Sequence, residues 1–406
     1  RNGVLTTHDE NMLGGGQVSG LLRFQNTDLV EGRNLLGRLS LAISTEVNAQ
    51  HQLGLDLNGK VGGNLFTPNT FTTANILAPS SNTPGLSMTM AVSNSSQLAA
   101  SDYELDFSSA TTGTITRRSD NTTSSFSFTP GNATTNGSFV FTDPVTGTTS
   151  TTIDGLALGT VTTGTPAAGD RFLLKPFITA ASSIKRAFST PSALAVASPV
   201  VASVTNTNSG SLSVVGISAK TVATTADNYT LSFHVSAGVA TTFDIRDLST
   251  GTTVASAQPY VAGQAITYAP ATSPATAGWT LTLTGAPADG DVVSVGPNPY
   301  PKTSSGNASA ITDLRDMALF DGAALTDGYA GLISQIGIRT QSANYATEVS
   351  TSIATNLEKD RTGVSGVNLD EEAAKLLQYQ QAYQASAKTI QIAQSIFDTL
   401  IQSLSR

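Results

Sequence analysis

The last 39 residues constrain this chain more than any other stretch, because no Gly or Pro occurs between Asn368 and Arg406. Asn368 followed by Glu371 reads as a capping box. A helix of about 35 residues, about 50 Å long at 1.5 Å per residue, is predicted to run to the end. Its apolar spacing is seven: Leu369, Leu376, Tyr383, Ile390, Phe397 and Leu404 share one position. A second position is mixed, filled by Ala373, Gln380, Ala387, Gln394 and Ile401, with Tyr379, Ala393 and Leu400 as its alternative. A period of 3.5 predicts a left-handed coiled-coil seam, and the glutamines argue against a dry two-stranded zipper. Such a helix outreaches a 100-residue domain of radius about 13 Å. The stripe is expected to meet another helix or another chain, the alternative being an ordinary core helix.

The other flank repeats the helical pattern. A helix over Thr27 to Gln50 is expected to place Leu36, Leu39, Ile43 and Val47 on its core face, with Asp28 and Glu31 near its positive end. Residues 311–361 suggest a short helix around Asp313 to Phe320. A longer one opens at Thr326 and carries Leu332, Ile336, Ala343, Ala346, Ile353 and Leu357. These stripes need partners, so the two flanks are expected to pack on each other.

The centre differs in composition. Residues 71–300 hold 20 charged side chains against 73 Ser and Thr, in alternating runs such as Tyr229 to Val235 and Trp279 to Leu283. That pattern reads as antiparallel β structure. An internal duplication is visible: Asp102 to Phe107 lies over Asn228 to Phe233, and Pro166 to Phe172 over Pro287 to Val293. The expected fold is α+β and multidomain. A helical, coiled-coil-like assembly domain is built from residues 1–70 and 301–406, with antiparallel β domains inserted at 71–180 and 181–300, joined through Ala180 to Ser198.

Chemistry is scarce. Charged residues make up 12% of the chain, against roughly 25% in an average protein. With 21 basic and 29 acidic side chains, net −8, a nucleic-acid surface is not expected. The longest apolar-leaning run, Ala193 to Val204, is broken by Ser198 and Pro199 and is too short to span a membrane. Absent cysteine removes disulfides, thiolate metal sites and cysteine nucleophiles. His8, His51 and His234 stand far apart and read as structural. The run Gly14-Gly15-Gly16 misses a dinucleotide register. Asp289 with Asp291, and Asp244 with Asp247, read as turn formers, and Asp56 opens a calcium-like loop lacking its twelfth-position acid. No catalytic residue, metal site or cofactor is expected. The sequons at Asn94, Asn121 and Asn132 are short enough to arise by chance in such loops. The polar opening, Arg1 to Glu10, is no secretory signal; it fits cytoplasmic residence, leaderless export or a missing N-terminus.

Val367 to Ile390, continuing through Phe397-Asp-Thr-Leu400, resembles the terminal motif of bacterial flagellar axial proteins, shared by rod, hook and hook-associated members. Leu13 to Leu22 and Asn48 to Gly59 are similar to the hook-associated branch, and within it to the hook–filament junction members. The resemblance implies a structural, non-enzymatic subunit of the extracellular flagellum, exported unfolded by the flagellar type III apparatus without a cleaved signal. It implies a layer above the hook, built by self-assembly, that touches the hook protein and the next hook-associated protein. It also implies a cytoplasmic export chaperone on the C-terminal helix. Leu369, Leu376, Tyr383, Ile390, Phe397 and Leu404 become candidates for the chaperone contact and then for the inter-subunit seam. Another hook or rod subunit is the nearest alternative reading; a surface adhesive β module is the more distant one. The family carries a long helical region ahead of the glycine run, where this chain opens, so a fragment is expected.

Overall fold

The computed structural model describes residues 16–131, 135–160, 165–221, 228–237, 240–268, 278–366 and 368–404. His8, Gly14, Gly15, the sequon at Asn132 and Val367 lie outside the described residues. The chain divides into two compact units, Arg1–Ile336 and Gly337–Arg406.

The first unit opens with α1 (Gln17–Arg23), which passes through a π-helical turn at Phe24–Asp28 into α2 (Leu29–Gln52). Ten strands follow: β1 (Ile76–Leu77), β2 (Met88–Val92), β3 (Tyr103–Phe107), β4 (Thr112–Arg117), β5 (Thr122–Thr129), β6 (Gly137–Thr142), β7 (Thr149–Ser150), β8 (Thr152–Ile153), β9 (Leu156–Thr160) and β10 (Arg171–Leu174). They form one sheet in the order β1-β10-β3-β4-β5-β6-β9-β2, with β7 on β6 and β8 on β9. Alternation decides what is buried. In β5, Ser124, Phe126 and Phe128 point inward between exposed neighbours. Phe107, Phe126, Phe128, Phe139, Phe141 and Phe172 pack with ring centroids 4.7 to 6.5 Å apart, mostly edge to face.

After α3 (Ala180–Ser183), a second β region holds β11 (Val200–Val204), β12 (Ser213–Ala219), β13 (Tyr229–His234), β14 (Thr242–Asp247), β15 (Thr253–Pro259), β16 (Ala265–Tyr268), β17 (Trp279–Thr284) and β18 (Val292–Pro297). Here the strands split into two sheets, β11-β18-β13-β14-β15 and β12-β17-β16, around Trp279, Leu231, Phe233, Leu281 and Val293.

The duplication is visible atom by atom. Asp170 accepts the N–H groups of Ala167 and Thr83, at 2.9 and 2.8 Å; Asp291 accepts those of Ala288 and Ser209, both at 2.8 Å. Phe107 N–H donates to the Asp170 carbonyl as Phe233 N–H does to that of Asp291, both at 2.9 Å. Gly169 and Gly290 hold the intervening turns at φ +97° and +81°, where a side chain would be strained. Asn82 exchanges two hydrogen bonds with the backbone of Arg171, and Asn208 exchanges two with that of Val292.

Three helices close the chain: α4 (Gly306–Asp313), α5 (Leu325–Ser365), which crosses from the first unit into the second, and α6 (Leu369–Leu404). Two helical expectations need correction. The short helix lies at Gly306–Asp313, earlier than expected. Met317 leaves the helical region, and Asp321 and Gly322, at φ +53° and +83°, turn Leu319 and Phe320 back toward Ala323. The core face of α2 is also not the leucine stripe. Its buried positions are Asn34, Gly37, Leu41, Ala42, Ser44, Asn48 and His51, whereas Leu36 is 46% exposed and Leu39, Ile43 and Val47 are half-buried. Small and hydrogen-bonding side chains won this face because the β region approaches so closely: a Cβ on Gly37 would lie 2.5 Å from that of Phe177.

Candidate assembly surface

The base around α2 is held by polar contacts. Asn34 Nδ2 donates to Asp102 at 3.2 Å. Asn48 donates to the carbonyl of Phe66 and accepts its N–H. His51 is 2% exposed; its Nε2 accepts the Ala195 N–H at 2.9 Å, leaving Nδ1 as the donor to the Gly63 carbonyl at 2.7 Å. Arg38 forks onto Asp321 at 3.0 and 3.2 Å, donates to the Leu98 carbonyl and lies 5.5 Å over the Phe320 ring. Gln50 bonds Asn307, which bonds the Ala195 carbonyl. Arg38 and Gln50 thereby join α2 to residues near 307–321, Asn34 joins it to Asp102, and His51 joins it to Ala195.

The terminal helix is built from its own sequence. Asn368 Oδ1 accepts the Asp370 N–H at 3.1 Å, satisfying one open donor of the first turn. Asp370, Glu371 and Glu372 suit the positive helix end, and Lys375 pairs with Glu371 at 3.0 Å, one turn apart. No residue of α6 is buried. The six heptad residues, Leu369, Leu376, Tyr383, Ile390, Phe397 and Leu404, are 59 to 80% exposed. Tyr379, Leu400 and Ile401 beside them are exposed too. From Leu376 to Leu404 only Lys388 and Asp398 carry charge. Fully burying a side chain of this size is worth ~1.5–3 kcal/mol, so the six together represent about 10 kcal/mol available to a partner.

The part of α5 in the second unit shows the same character. Ile338, Tyr345, Ile353 and Leu357 are exposed. Thr347, Thr351 and Thr355 each donate to the carbonyl four residues earlier, at 2.7 to 2.8 Å, so hydroxyls are spent on the helix itself. Of the predicted α5 stripe only Leu332, in the first unit, is buried.

Heptad counting missed Ile392 and Ile396, which are exposed on another side of α6. A 3.6-residue wheel would have found them. It also missed the exposed Val18, Leu21 and Phe24 of the π-interrupted segment, whose local geometry no spacing rule gives.

Elsewhere the carboxylates serve turns. Asp291 is held below the ordinary carboxylate range by the N–H groups of Ala288, Ser209 and Gly210, against a smaller effect of burial. For Asp170, burial pushes upward, yet the N–H groups of Ala167 and Thr83 hold the net shift downward. Asp247 accepts the Ser249 N–H as a turn former does; Asp244, expected at a turn, lies within β14 and accepts the Ala257 N–H of β15, and the Asp289 carboxylate accepts the N–H of Val235, 54 residues away. Asp56 accepts the N–H groups of Asn58 and Lys60, both at 2.8 Å. Among the described residues no cluster of three or more His, Cys, Asp or Glu could hold a metal, and no helix is long and apolar enough to cross a membrane.

Three family models match the chain. Residues 2–66 match the flagellar hook-associated protein FlgK helical domain, 77–176 the D2-like domain of flagellar hook-associated protein 1, and 363–403 the flagellar basal body rod FlgEFG protein C-terminal. Over 2–66 and 77–176 the chain is similar to flagellar hook-associated protein 1. Flagellar hook-associated protein 1 of Escherichia coli is 26% identical over 97% of this chain and 50% of its own length; that of Salmonella typhimurium gives the same figures. The flagellar hook junction protein FlgK from Burkholderia pseudomallei superposes with a TM-score of 0.66 at 26% identity, covering 86% of this chain and 63% of that one. The chain therefore spans about half the length of the curated relatives it matches. Its α+β architecture, helices bracketing antiparallel sheets, matches that FlgK structure.

Proposed function

We propose that this chain is a structural subunit of the junction between flagellar hook and filament, and that α6 carries its assembly seam. The single observation behind this reading is the unburied heptad stripe. A helix with six large apolar residues in register, and only Lys388 and Asp398 charged from Leu376 onward, is unstable against association in water. Leu369, Leu376, Tyr383, Ile390, Phe397 and Leu404 serve a cytoplasmic export chaperone first and neighbouring subunits later; apolar burial of one face suffices for both, since the states are sequential. In this reading the protein leaves through the flagellar type III apparatus and works outside the cell, contacting the hook protein and the next hook-associated protein. Residues 1–70 and 301–406 form the assembly domain, while 71–180 and 181–300 form separate β domains. In this reading its role is structural and not catalytic.

Another axial hook or rod subunit shares the C-terminal helix, and the match at 363–403 is common ground with it. The match at 77–176 favours the junction reading. The test is Tyr383→Asp with Phe397→Asp in the full-length protein. Both side chains are exposed, so the β domains should stay folded while filaments fail to attach and flagellin accumulates in the medium. Normal filaments on these cells would overturn the seam.

A further inference from the structure

We propose that the turn Asp56 to Lys60 is a site of spontaneous covalent modification, where Asn58 loses its side-chain nitrogen to attack by the Gly59 backbone and becomes aspartate or isoaspartate. The inference is independent of the junction reading. Solvent base removes the Gly59 amide proton, and that nitrogen bonds to Cγ of Asn58. The Cγ–Nδ2 bond breaks, ammonia leaves, and a cyclic succinimide remains. Water opens the ring at either carbonyl: one product is the ordinary aspartyl linkage, and the other runs the main chain through the side chain. Each event consumes one water and releases one ammonia, with no change of oxidation state. Glycine at the second position favours closure, because it has no Cβ to crowd the forming ring.

Asn-Gly occurs three times in the sequence. Asn2-Gly3 lies outside the described residues, and the structure separates the other two. Gly137, after Asn136, is buried in β6 opposite Thr160, and a Cβ on it would lie 2.4 Å from the Thr160 hydroxyl and 2.6 Å from the Phe128 ring. A ring closing there has no room. Asn58 and Gly59 are both exposed and lie outside every helix and strand. A Cβ on Gly59 would find nothing beyond its chain neighbours nearer than Pro301 Cγ, at 4.0 Å. The Asn58 amide is loosely held, its Nδ2 standing 3.5 Å from Asp56 Oδ2, at the outer limit of a hydrogen bond. The backbone is held better: Asp56 Oδ1 takes the N–H groups of Asn58 and Lys60, and the Asp56 carbonyl takes that of Gly59 at 3.0 Å. The Gly59 nitrogen must leave that carbonyl before it reacts, so Asp56 is the brake on the conversion. The products alter a joint. Leu55 exchanges two hydrogen bonds with Ala197, at 2.8 and 3.2 Å, and Leu57 N–H donates to the Ser192 carbonyl at 3.2 Å. Either product sets a second carboxylate beside Asp56, and isoaspartate adds one main-chain carbon to the turn that holds these contacts.

The test follows the full-length protein through incubation in mildly alkaline buffer, with trypsin digestion at intervals. The peptide Leu39 to Lys60 should gain one mass unit with time and split into two chromatographic peaks, and fragmentation should place the change on Asn58. One of the two peaks should accept a methyl group from S-adenosylmethionine in the presence of isoaspartyl methyltransferase. Asn136 should keep its amide over the same period. Asp56→Ala removes the brake and should speed the conversion several-fold, whereas Asn58→Gln should abolish the methyl-accepting peak. An Asn58 that keeps its amide while a synthetic peptide of residues 52–62 loses it in the same buffer would overturn the proposal. So would an Asp56→Ala variant that reacts no faster than the parent, or Asn136 reacting ahead of Asn58.

Discussion

Gly37 and Asp102 show how single residues set the geometry of the base. A methyl at Gly37 would meet Phe177 at 2.5 Å, and neither the α2 backbone nor the β region can yield without disturbing the hydrogen bonds of Asn34 and Asn48. Gly37→Ala is expected to destabilise the first unit by roughly 1–3 kcal/mol in a denaturant melt; an unchanged midpoint would mean the contact is looser than described. Asp102 is nearly buried, and burial pushes its carboxyl upward in spite of the Asn34 hydrogen bond and nearby Lys175, Arg118 and Arg33. The charged form is therefore penalised in the folded chain at neutral pH, a penalty that vanishes once the carboxyl is protonated in both states. Asp102→Asn keeps an acceptor for Asn34 and should raise Tm at pH 7, with the gain fading as pH falls through the raised folded value and gone by about pH 4. Asp170 and Asp291 have the opposite sign. Their contribution is present above the unfolded carboxylate value near 3.9 and is lost as pH falls through their lowered folded values. Parent-chain melts should stay level on their account above about pH 5 and drop in more acid solution, which circular dichroism at stepped pH would record.

At the scale of elements, the duplicated clamp makes a paired prediction. Asn82 and Asn208 each exchange two hydrogen bonds with the backbone of the strand opposite, so Asn82→Ala and Asn208→Ala should each cost about 1–3 kcal/mol. A large loss at one site with none at the other would argue that the two repeats no longer share a clamp. Terminal helix, β centre and repeat were legible in the sequence because each rests on a local period or a turn signature: seven in α6, two in the strands, Gly-Asp in the turns. The orientation of α2 was not. Hydrophobic periodicity assumes that the largest apolar side chains seek the core, whereas the β region selects Asn34, Gly37, Ser44, Asn48 and His51 for close approach and hydrogen bonding. The split of the second β region into two sheets was equally hidden, since it depends on which strands pair and not on the content of any one strand. Along α6 the heptad period was readable, whereas the exposed Ile392 and Ile396 were not, because a seven-residue template looks for one face only.

For the whole molecule, the unit beginning at Gly337 contributes no buried side chain from α6, so the seam should serve assembly and leave the stability of the β domains alone. Polar hydrogen bonds of Arg38 and Gln50 tie α2 to residues near 307–321, whereas α6 is an apolar rod with its stripe free for a partner. The central claim is that this rod carries the junction. Deleting residues 369–406 from the intact protein, with export into the medium, melting of the β domains and filament attachment scored separately, tests it most directly. The account predicts β domains that melt at the parent temperature, no attached filaments and flagellin released into the medium. Unaltered swimming with full-length filaments would contradict it.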